Sequence, residues 1–155
     1  MLTHESRRPV AWLIFNVGQI MTTEEQRRIR EAHYKLPVAC RSKPAGEAVL
    51  AAFEAEFGAI LPDYRWYLAE CGGGIVRSER LDDIEALKKS HLKFCREAAM
   101  ANCWKKKDGF VIGWDGGGNP MLIDRVTGEL VVEDHDFSGV HVLADSFAEY
   151  CLKSA

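Results

Sequence analysis

The stretch from Gly109 to Val142 constrains the fold of this chain most, because short β-type runs alternate there with turn residues. Within each run, apolar side chains recur at every second position, as expected of strands with one buried face. The recurring residues are Phe110, Ile112 and Trp114, then Met121 and Ile123, then Leu130 and Val132, and finally Val140 and Val142. The intervening residues 116–120, 127–128 and 138–139 are rich in Gly and include Asn and Pro, which suit turns. The pattern predicts four short antiparallel strands onto which the helices must pack.

Three helices are predicted before this sheet. They span about residues 22–34, 47–57 and 62–71. Thr22 and Glu25 form a capping-box pattern at the start of the first, which has few apolar positions and is expected to lie on the surface. The second carries an apolar stripe and ends at Gly58, and the third begins at Pro62 and ends at the glycines 72–74. The second and third helices are expected to meet at a tight corner in the core.

A further helical pattern separates the third helix from the sheet. Asp82 or Asp83 is suited to its N-cap, and the cations Lys105–Lys107 suit a helix C-terminus. Whether this stretch forms one helix or two stays open. After the last strand, Asp145 and Ser146 begin a final helix.

An apolar run from Val10 to Val17 follows Arg7 and Arg8 at the N-terminus. It is short and lacks a cleavage pattern, so it predicts a strand at the sheet edge and not an export signal. Together the elements predict an α+β fold: a central antiparallel sheet of about four to six strands, with helices packed before it and one C-terminal helix. The length predicts a single domain over residues 1–155, in which residues 1–44 form an N-terminal strand and helix extension.

Charge and cysteine usage narrow the class of protein. A formal net charge of −3 argues against a broad nucleic-acid-binding face, so no direct nucleic-acid partner is expected. The five cysteines are odd in number, scattered and never arranged as C-x-x-C, which favours a reducing compartment. No stretch approaches the roughly 20 apolar residues that span a bilayer. We therefore expect a cytoplasmic protein with no membrane partner.

Two triple-glycine segments invite a functional interpretation. Gly116–Gly118 lacks the G-K-[ST] ending of a phosphate-binding loop and precedes Pro120 and a strand, so a hairpin turn is expected. Gly72–Gly74 follows Cys71, whose place in an apolar stripe predicts a small buried side chain and not a nucleophile.

The segment from Glu133 to Asp136, together with His141, is the richest in potential metal ligands. On a strand, Glu133 and His135 point to one side and Asp134 to the other, so few of these groups can converge on one ion. No spaced Cys or His residues elsewhere complete a site. An acidic rim is therefore favoured, and a small metal-dependent hydrolase using Glu133, His135 and His141 is a weaker alternative.

The segment Trp104–Lys107 combines an aromatic ring with cations, as single-strand binders do. In an acidic protein one such segment is more typical of a solvated turn, and a nucleic-acid adaptor is the least favoured reading. The histidines His4, His33 and His91 lie in no context that suggests a catalytic triad. The search yields no catalytic motif, no cofactor and no metal, which favours a binding protein over an enzyme.

Two blocks of motifs follow one another along the last hundred residues. The first runs from Glu54 to Gly74 and contains Leu61-Pro62, Tyr64, Trp66-Tyr67-Leu68 and Gly73-Gly74. The second runs from Phe110 to Tyr150 and contains Asp115-Gly116-Gly117-Gly118-Asn119, Asp124, Gly128, Val131 and Asp145-Ser146-Phe147. Their order and spacing resemble the SUKH superfamily of the SMI1/KNR4 type, shared by many bacterial toxin-immunity proteins and a fungal regulator of cell-wall synthesis. Cys71-Gly72 departs from the Asn that often stands there, and residues 1–44 have no counterpart.

The resemblance implies a non-enzymatic immunity protein that binds a cognate polymorphic toxin, contact-dependent or secreted, and neutralises it as a stoichiometric complex. Many toxin domains are nucleases with basic clefts, so an acidic rim would mimic the phosphate backbone and speed association. The expected partner-binding residues are Asp115, Asn119, Glu133, Asp134 and Asp136. The alternative is a regulatory scaffold that binds a cellular protein, as the fungal relatives suggest.

Overall fold

The computed structural model of the chain describes residues 20–100, 103–137 and 139–153. Its helices are α1 (Thr23–Lys35), α2 (Glu47–Phe57), α3 (Pro62–Glu70), α4 (Ile84–Ala98) and α5 (Phe147–Leu152). Its strands are β1 (Gly74–Val76), β2 (Glu79–Leu81), β3 (Phe110–Trp114), β4 (Pro120–Ile123), β5 (Leu130–Asp134) and β6 (Gly139–Ala144). This is the predicted α+β fold, with a four-stranded antiparallel sheet, an additional hairpin and a C-terminal helix. The strand predicted over Val10–Val17 lies outside the described residues.

The four predicted strands are confirmed and form one antiparallel sheet in the order β3-β4-β5-β6. Phe110 pairs with Ile123, Ile123 with Leu130, and Leu130 with Ala144, so one row of apolar residues crosses the whole sheet. All four of these side chains are buried. The alternation in the sequence therefore located both the strands and the row that anchors them to the helices.

Two bulges alter the predicted facing of side chains. Ile112 in β3 and Leu143 in β6 are the extra residues where the pairing register shifts. An extra residue reverses the alternation beyond it. Consequently the prediction that Trp114, Val140 and Val142 share the buried face of Phe110 is wrong: Trp114 packs on the opposite face, and the two valines are 41% and 55% exposed.

The predicted helix ends are confirmed for α1 to α3. The Thr22 hydroxyl accepts the Glu25 backbone N–H at 3.2 Å, and the Glu25 carboxylate accepts the Thr22 N–H at 2.8 Å, which completes the capping box. Gly58 ends α2 with a φ of 91°, and Pro62 is the first residue of α3. The apolar face of α1 is narrow, and Ile29 and His33 are its buried residues. Through this face α1 packs against α5.

The segment between α3 and the sheet differs from the prediction in two respects. The short antiparallel hairpin β1-β2 was not predicted. Its two strands have only three residues each, and they lie where the sequence predicts the glycine-rich end of the third helix and the start of the next helix. One helix follows, with Asp83 as its N-cap, and it ends at Ala98. The prediction that Lys105–Lys107 form its C-terminus is therefore wrong, and these residues lie in the connection to β3.

The glycines 72–74 allow the chain to pass through a crowded space. A Cβ atom on Gly72 would lie 2.0 Å from the Lys43 carbonyl oxygen, and one on Gly73 would lie 2.8 Å from the Asp83 nitrogen. Both glycines also have positive φ, at 83° and 118°. This segment therefore requires glycine for close backbone packing.

The main core lies between one face of the sheet and the helices α2, α3, α4 and α5. Its largest fully buried side chains include Tyr64, Tyr67, Phe110 and Leu50. The Phe147 ring on α5 contacts both tyrosine rings, with centroid distances of 5.5 Å and 5.4 Å. We call this face of the sheet the core face.

The opposite face, called here the outer face, is also covered over most of its width. Val111, Leu122 and Val131 pack there against Phe94 of α4 and Trp104 of the following connection. Since directly paired residues share a face, Val142 lies beside Val131 on this same side, and it is not covered. The sequence pattern predicted one buried face, whereas β3, β4 and β5 bury side chains on both.

Candidate interaction surface

The predicted partner-binding residues lie where the β3–β4 loop meets the β5–β6 turn. Asn119 connects the two segments, because its side-chain oxygen accepts the His135 backbone N–H at 3.0 Å. The Asn119 side chain is buried, with 6% of the residue exposed. It therefore positions the turn and offers little surface to a partner.

Asp115 organises the β3–β4 loop from within. One carboxylate oxygen accepts the backbone N–H groups of Gly117 and Asn119, both at 2.9 Å. The other oxygen accepts the Asn119 side-chain amide at 3.0 Å. These loop N–H groups point to the Asp115 carboxylate, so the segment Gly116–Gly118 is part of a hairpin turn, as predicted.

Glu133 faces the outer side of the sheet and holds a neighbouring segment. Its carboxylate accepts the backbone N–H groups of Lys105 at 2.6 Å and Lys106 at 2.9 Å. Only 3% of Glu133 is exposed. The interpretation of Glu133 as part of a solvated acidic rim is therefore wrong, since this side chain fastens the α4–β3 connection to β5.

Asp134 and Asp136 lie in the part of the turn that reaches solvent. The Asp134 carboxylate accepts the backbone N–H groups of Asp136 at 2.8 Å and Phe137 at 3.0 Å. The hydrogen bonds from Phe137 and Asp136 lower the pKa of Asp134, so its charge is stabilised. The side chain of Asp136 is 71% exposed, and Phe137 beside it is 81% exposed.

The structure thus brings four of the five predicted residues into one assembly with two kinds of position. Asp115 and Asn119 form the framework, while Asp134 and Asp136 carry negative charge at the surface. Glu133 belongs to the adjacent outer face. The role of this set in partner binding stays a prediction. Phe137 was not predicted as a binding residue. A lone aromatic residue between an acidic turn and Ser-Gly is a sequence pattern that could have indicated it.

The ligands suggested for a metal hydrolase do not converge. Glu133 pairs with Val140 and His141 pairs with Val132, so the Glu133 and His141 side chains lie on opposite faces of the sheet. Across the ranges that the structure describes, no group of three His, Cys, Asp or Glu side chains is placed to hold a metal ion.

The Trp104–Lys107 segment does not present the surface that a single-strand binder uses. Trp104 is 6% exposed and donates its indole N–H to the Glu97 carboxylate at 2.9 Å. The Lys106 ammonium pairs with Asp124 and also with Asp108, at 3.6 Å. Neither the ring of Trp104 nor the cation of Lys106 is therefore available for base stacking or phosphate contact.

The most strongly perturbed titratable groups lie in the core and are structural. Burial raises the pKa of the Cys71 thiol to about 12, as expected of a buried side chain and not of a nucleophile. Burial also raises the pKa of Asp82 to about 6, and the Ser90 hydroxyl donates a hydrogen bond to its carboxylate. The Trp114 indole N–H donates in turn to the Ser90 hydroxyl at 3.0 Å. This network joins the start of α4 to β3.

A groove of about 220 Å³ lies beside the core face, between the β1–β2 turn and the sheet. Arg77 at the turn has a φ of 59°, and its guanidinium lies 5.3 Å from the centroid of the Tyr150 ring. Glu79 and Asp115 add two carboxylates to its wall. Charged side chains therefore line the groove together with the apolar Met121, Val132 and Leu143.

The outer part of β6 was also not predicted as surface. Val140, His141 and Val142 are all exposed, and among the described residues β6 is the last strand of the sheet. The bulge at Leu143 turns the two valines to the outer face. A bulge leaves no clear signal in the alternation of so short a strand, so the sequence alone did not reveal this.

No helix in the described part of the chain is long and apolar enough to cross a membrane. Comparison with known protein families gives a match over residues 44–153, which covers α2 to α5 and both sheets, to the family described as SMI1 / KNR4 family (SUKH-1). No protein of curated function matches the chain.

Proposed function

Because this chain belongs to the SMI1 / KNR4 family (SUKH-1), whose members are generally immunity proteins for polymorphic toxins, we propose that it binds and neutralises one cognate bacterial toxin domain. The neutralised state is a stoichiometric complex in which the protein covers the active site or the substrate path of the toxin. The proposed site of action is the cytoplasm. Such inhibition is non-enzymatic and uses no cofactor.

The observation that carries this proposal is the hydrogen-bonded acidic segment 134–137 that follows β5. Asp134 and Asp136 present charge at the surface, and the exposed ring of Phe137 lies next to them. The turn is held by Asn119 and by the two backbone hydrogen bonds to Asp134. A pre-ordered charged and aromatic surface suits tight binding, since little conformational entropy is lost when the complex forms.

The charge of the turn fits a toxin with a basic substrate cleft, such as a nuclease. Opposite charges on two partners accelerate encounter by long-range attraction. The framework residues Asp115 and Asn119 contribute by keeping the turn in place. The proposed contact set is therefore Asp134, Asp136 and Phe137, supported by Asp115 and Asn119.

Affinity capture from the source cells tests the function. The tagged full-length protein is expected to recover a large secreted-type protein through its C-terminal toxin domain, at close to one-to-one stoichiometry by mass spectrometry. Recovery of a housekeeping or signalling protein would instead support the regulatory scaffold. Co-expression with the recovered toxin domain should then restore growth of sensitive cells.

Two charge variants test the surface itself. Asp134→Asn keeps an oxygen for the turn hydrogen bonds and removes the charge, and Asp136→Lys reverses an exposed charge. The double variant should bind the toxin about tenfold more slowly, with a flatter dependence on salt. The matched control is Glu56→Lys on α2 combined with Glu85→Gln at an exposed position of α4, which changes the net charge by the same amount. The exposed pair of Glu56 with Lys88 is worth under about 1 kcal/mol. If the acidic double variant and the control associate with the toxin at the same rate, the acidic turn is not part of the interface.

A further inference from the structure

The free edge of β6 lacks the usual protection of an exposed strand. In the described part of the chain, no strand pairs with the side of β6 that faces away from β5. Such edges are commonly blunted by Pro, Lys or other charged residues. β6 (Gly139–Ala144) contains no Pro, Lys, Arg, Asp or Glu, although His141 lies in it, and the bulge at Leu143 leaves 139–142 as a regular ladder. Every other residue of that ladder directs its backbone N–H and C=O groups outward.

The surface beside this edge is apolar. Val140 and Val142 are 41% and 55% exposed on the outer face, and Phe137 precedes the strand at 81% exposed. The connection held by Glu133 covers the outer face only as far as β5. An added strand would bury these side chains as well as pair with the backbone.

Carboxylates stand before and after this strand. Asp134 and Asp136 stand before β6, and Asp145 follows it in an exposed position. The Glu149 carboxylate accepts the Asp145 backbone N–H at 2.6 Å and pairs with Lys153 at 3.6 Å, so Asp145 carries the net negative charge at that end. A strand lying along β6 would therefore meet carboxylates at both of its ends.

This charge distribution selects between possible occupants. Two copies of the chain pairing antiparallel through β6 would place Asp136 of one beside Asp145 of the other, and like charges across paired strands are destabilising. A segment with Lys or Arg at both ends would be attracted at both ends. The edge therefore suits a basic partner better than a second copy.

We propose that the β6 edge binds an extended segment of the partner by strand addition, and that this segment carries Lys or Arg on both sides of a short apolar stretch. The proposal rests on the proposed function, in that the partner is the toxin domain. It adds the mode of binding and the chemistry of the segment that is bound.

Amide hydrogen exchange on the full-length protein tests the edge directly. The probe is a synthetic peptide of alternating Val and Thr with Lys at both ends, at about 1 mM, near the weak limit of specific binding. Because a site that is half occupied at this concentration exchanges at half the rate, alternate amides within 139–142 should exchange at least about twofold more slowly when it is added. Two control peptides should not slow them: one with Glu at both ends, and one with its pairing backbone nitrogens methylated.

Four results would overturn the proposal. If the outward-facing amides within 139–142 are already as protected as those of β4 in the free protein, the chain itself occupies the edge, as the strand predicted over 10–17 would. Absence of slowing with the Lys peptide would remove the site. If the Glu peptide slows amide exchange as much as the Lys peptide does, the edge has no preference for a basic segment. If the methylated peptide does so, binding does not occur by strand addition.

A pair of variants separates this proposal from the immunity function. Val142→Lys places a repelling charge beside the edge, and Val126→Lys places the same charge on the β4–β5 turn, where Val126 is 63% exposed. Toxin binding should weaken at least about tenfold in the first and stay unchanged in the second. A captured toxin that binds Val142→Lys normally would overturn the edge proposal and leave the immunity function intact. If no toxin is captured but the Lys peptide still binds, the immunity function would be overturned and strand addition at the β6 edge would stand.

Discussion

The two faces of the β3–β6 sheet are covered by different means. On the core face, rings from three helices pack on Phe110 and its neighbours, and the apolar residues of this cluster are almost wholly excluded from solvent. On the outer face, the end of α4 and one irregular connection provide the cover. That connection is held by a single buried carboxylate, Glu133. The first face is stabilised mainly by apolar burial, and the second depends on a polar attachment as well.

The difference explains where the protein has surface to offer. A helix end and a short connection are too narrow to cover four strands, which lie about 4.8 Å apart. The cover reaches β5, so Val140 and Val142 on β6 stay exposed. The helix-covered part of the core face provides stability. At β6, where His141 on the core face and Val140 and Val142 on the outer face are exposed, the sheet offers an accessible edge. Four substitutions, taken in order of decreasing effect, test this division.

The largest effect is expected from Phe110→Ala on the core face. Phe110 is fully buried, and its ring centroid lies 4.5 Å from that of His91 and 6.1 Å from that of Tyr64. Removing the ring loses its burial and leaves a cavity, which should lower the free energy of unfolding by about 4 kcal/mol. Urea denaturation measures this. Phe137→Ala is the control and should change stability by less than about 0.5 kcal/mol, and a similar loss in both would contradict the division.

The second effect depends on pH and concerns His91, which packs against Phe110. The His91 side chain lies 2.9 Å from the Val111 carbonyl oxygen through Nε2, which donates there. Burial lowers the pKa of His91 to about 4. Below pH 6.5 the unfolded chain takes up a proton that the folded protein does not, so stability falls as the pH drops from about 6.5 to 4.

His91→Gln isolates this contribution, because Gln can donate to Val111 and does not titrate. The free energy of unfolding of wild type relative to the variant should rise by about 3 kcal/mol between pH 4 and pH 7. The raised pKa of Asp82 acts in the opposite direction but is common to both proteins. A difference that is constant over this range would show that His91 titrates normally in the folded protein.

The sequence predicted the elements of the core face well. The capping box at Thr22, the proline at Pro62 and the alternation through Phe110 and Ile123 are local signals, and each gave a correct element. Their success follows from physics that acts within a few residues, such as satisfaction of helix-end N–H groups. The family resemblance, confirmed over residues 44–153, rests on the segments around Pro62 and Phe110, and the capping box at Thr22 lies outside it.

The outer face was predicted poorly because its determinants are not local. The contact of Glu133 with Lys105 joins residues 28 positions apart, and nothing near Glu133 in the sequence distinguishes a buried carboxylate from a solvated one. The bulge at Leu143 likewise follows from pairing with β5 and reversed the predicted facing of Val142. The hairpin β1-β2 was missed since three-residue strands carry almost no periodicity.

The third effect comes from Glu133→Ala, which removes the polar attachment of the outer face. Two buried N–H groups lose their acceptor, so the free energy of unfolding should fall by about 2 kcal/mol. The amides of Lys105 and Lys106 should also exchange faster with solvent. Glu133→Gln retains one acceptor oxygen and should lose roughly half as much. Normal exchange at both amides in the Ala variant would show that the apolar contacts of Trp104 hold the connection without Glu133.

The smallest effect is expected at Val142, on the uncovered part of the outer face. Val142 is 55% exposed, so Val142→Thr exchanges a methyl group for a hydroxyl in contact with water and should change stability by less than about 0.5 kcal/mol.

Val131 is paired directly with Val142 on the same face but is only 2% exposed. The same substitution there buries a hydroxyl and should cost about 1 to 3 kcal/mol. Thermal or urea unfolding of the two variants compares neighbouring positions that differ mainly in cover. Equal costs would mean that Val142 is covered in solution, and the edge that we assign to partner binding would then already be occupied.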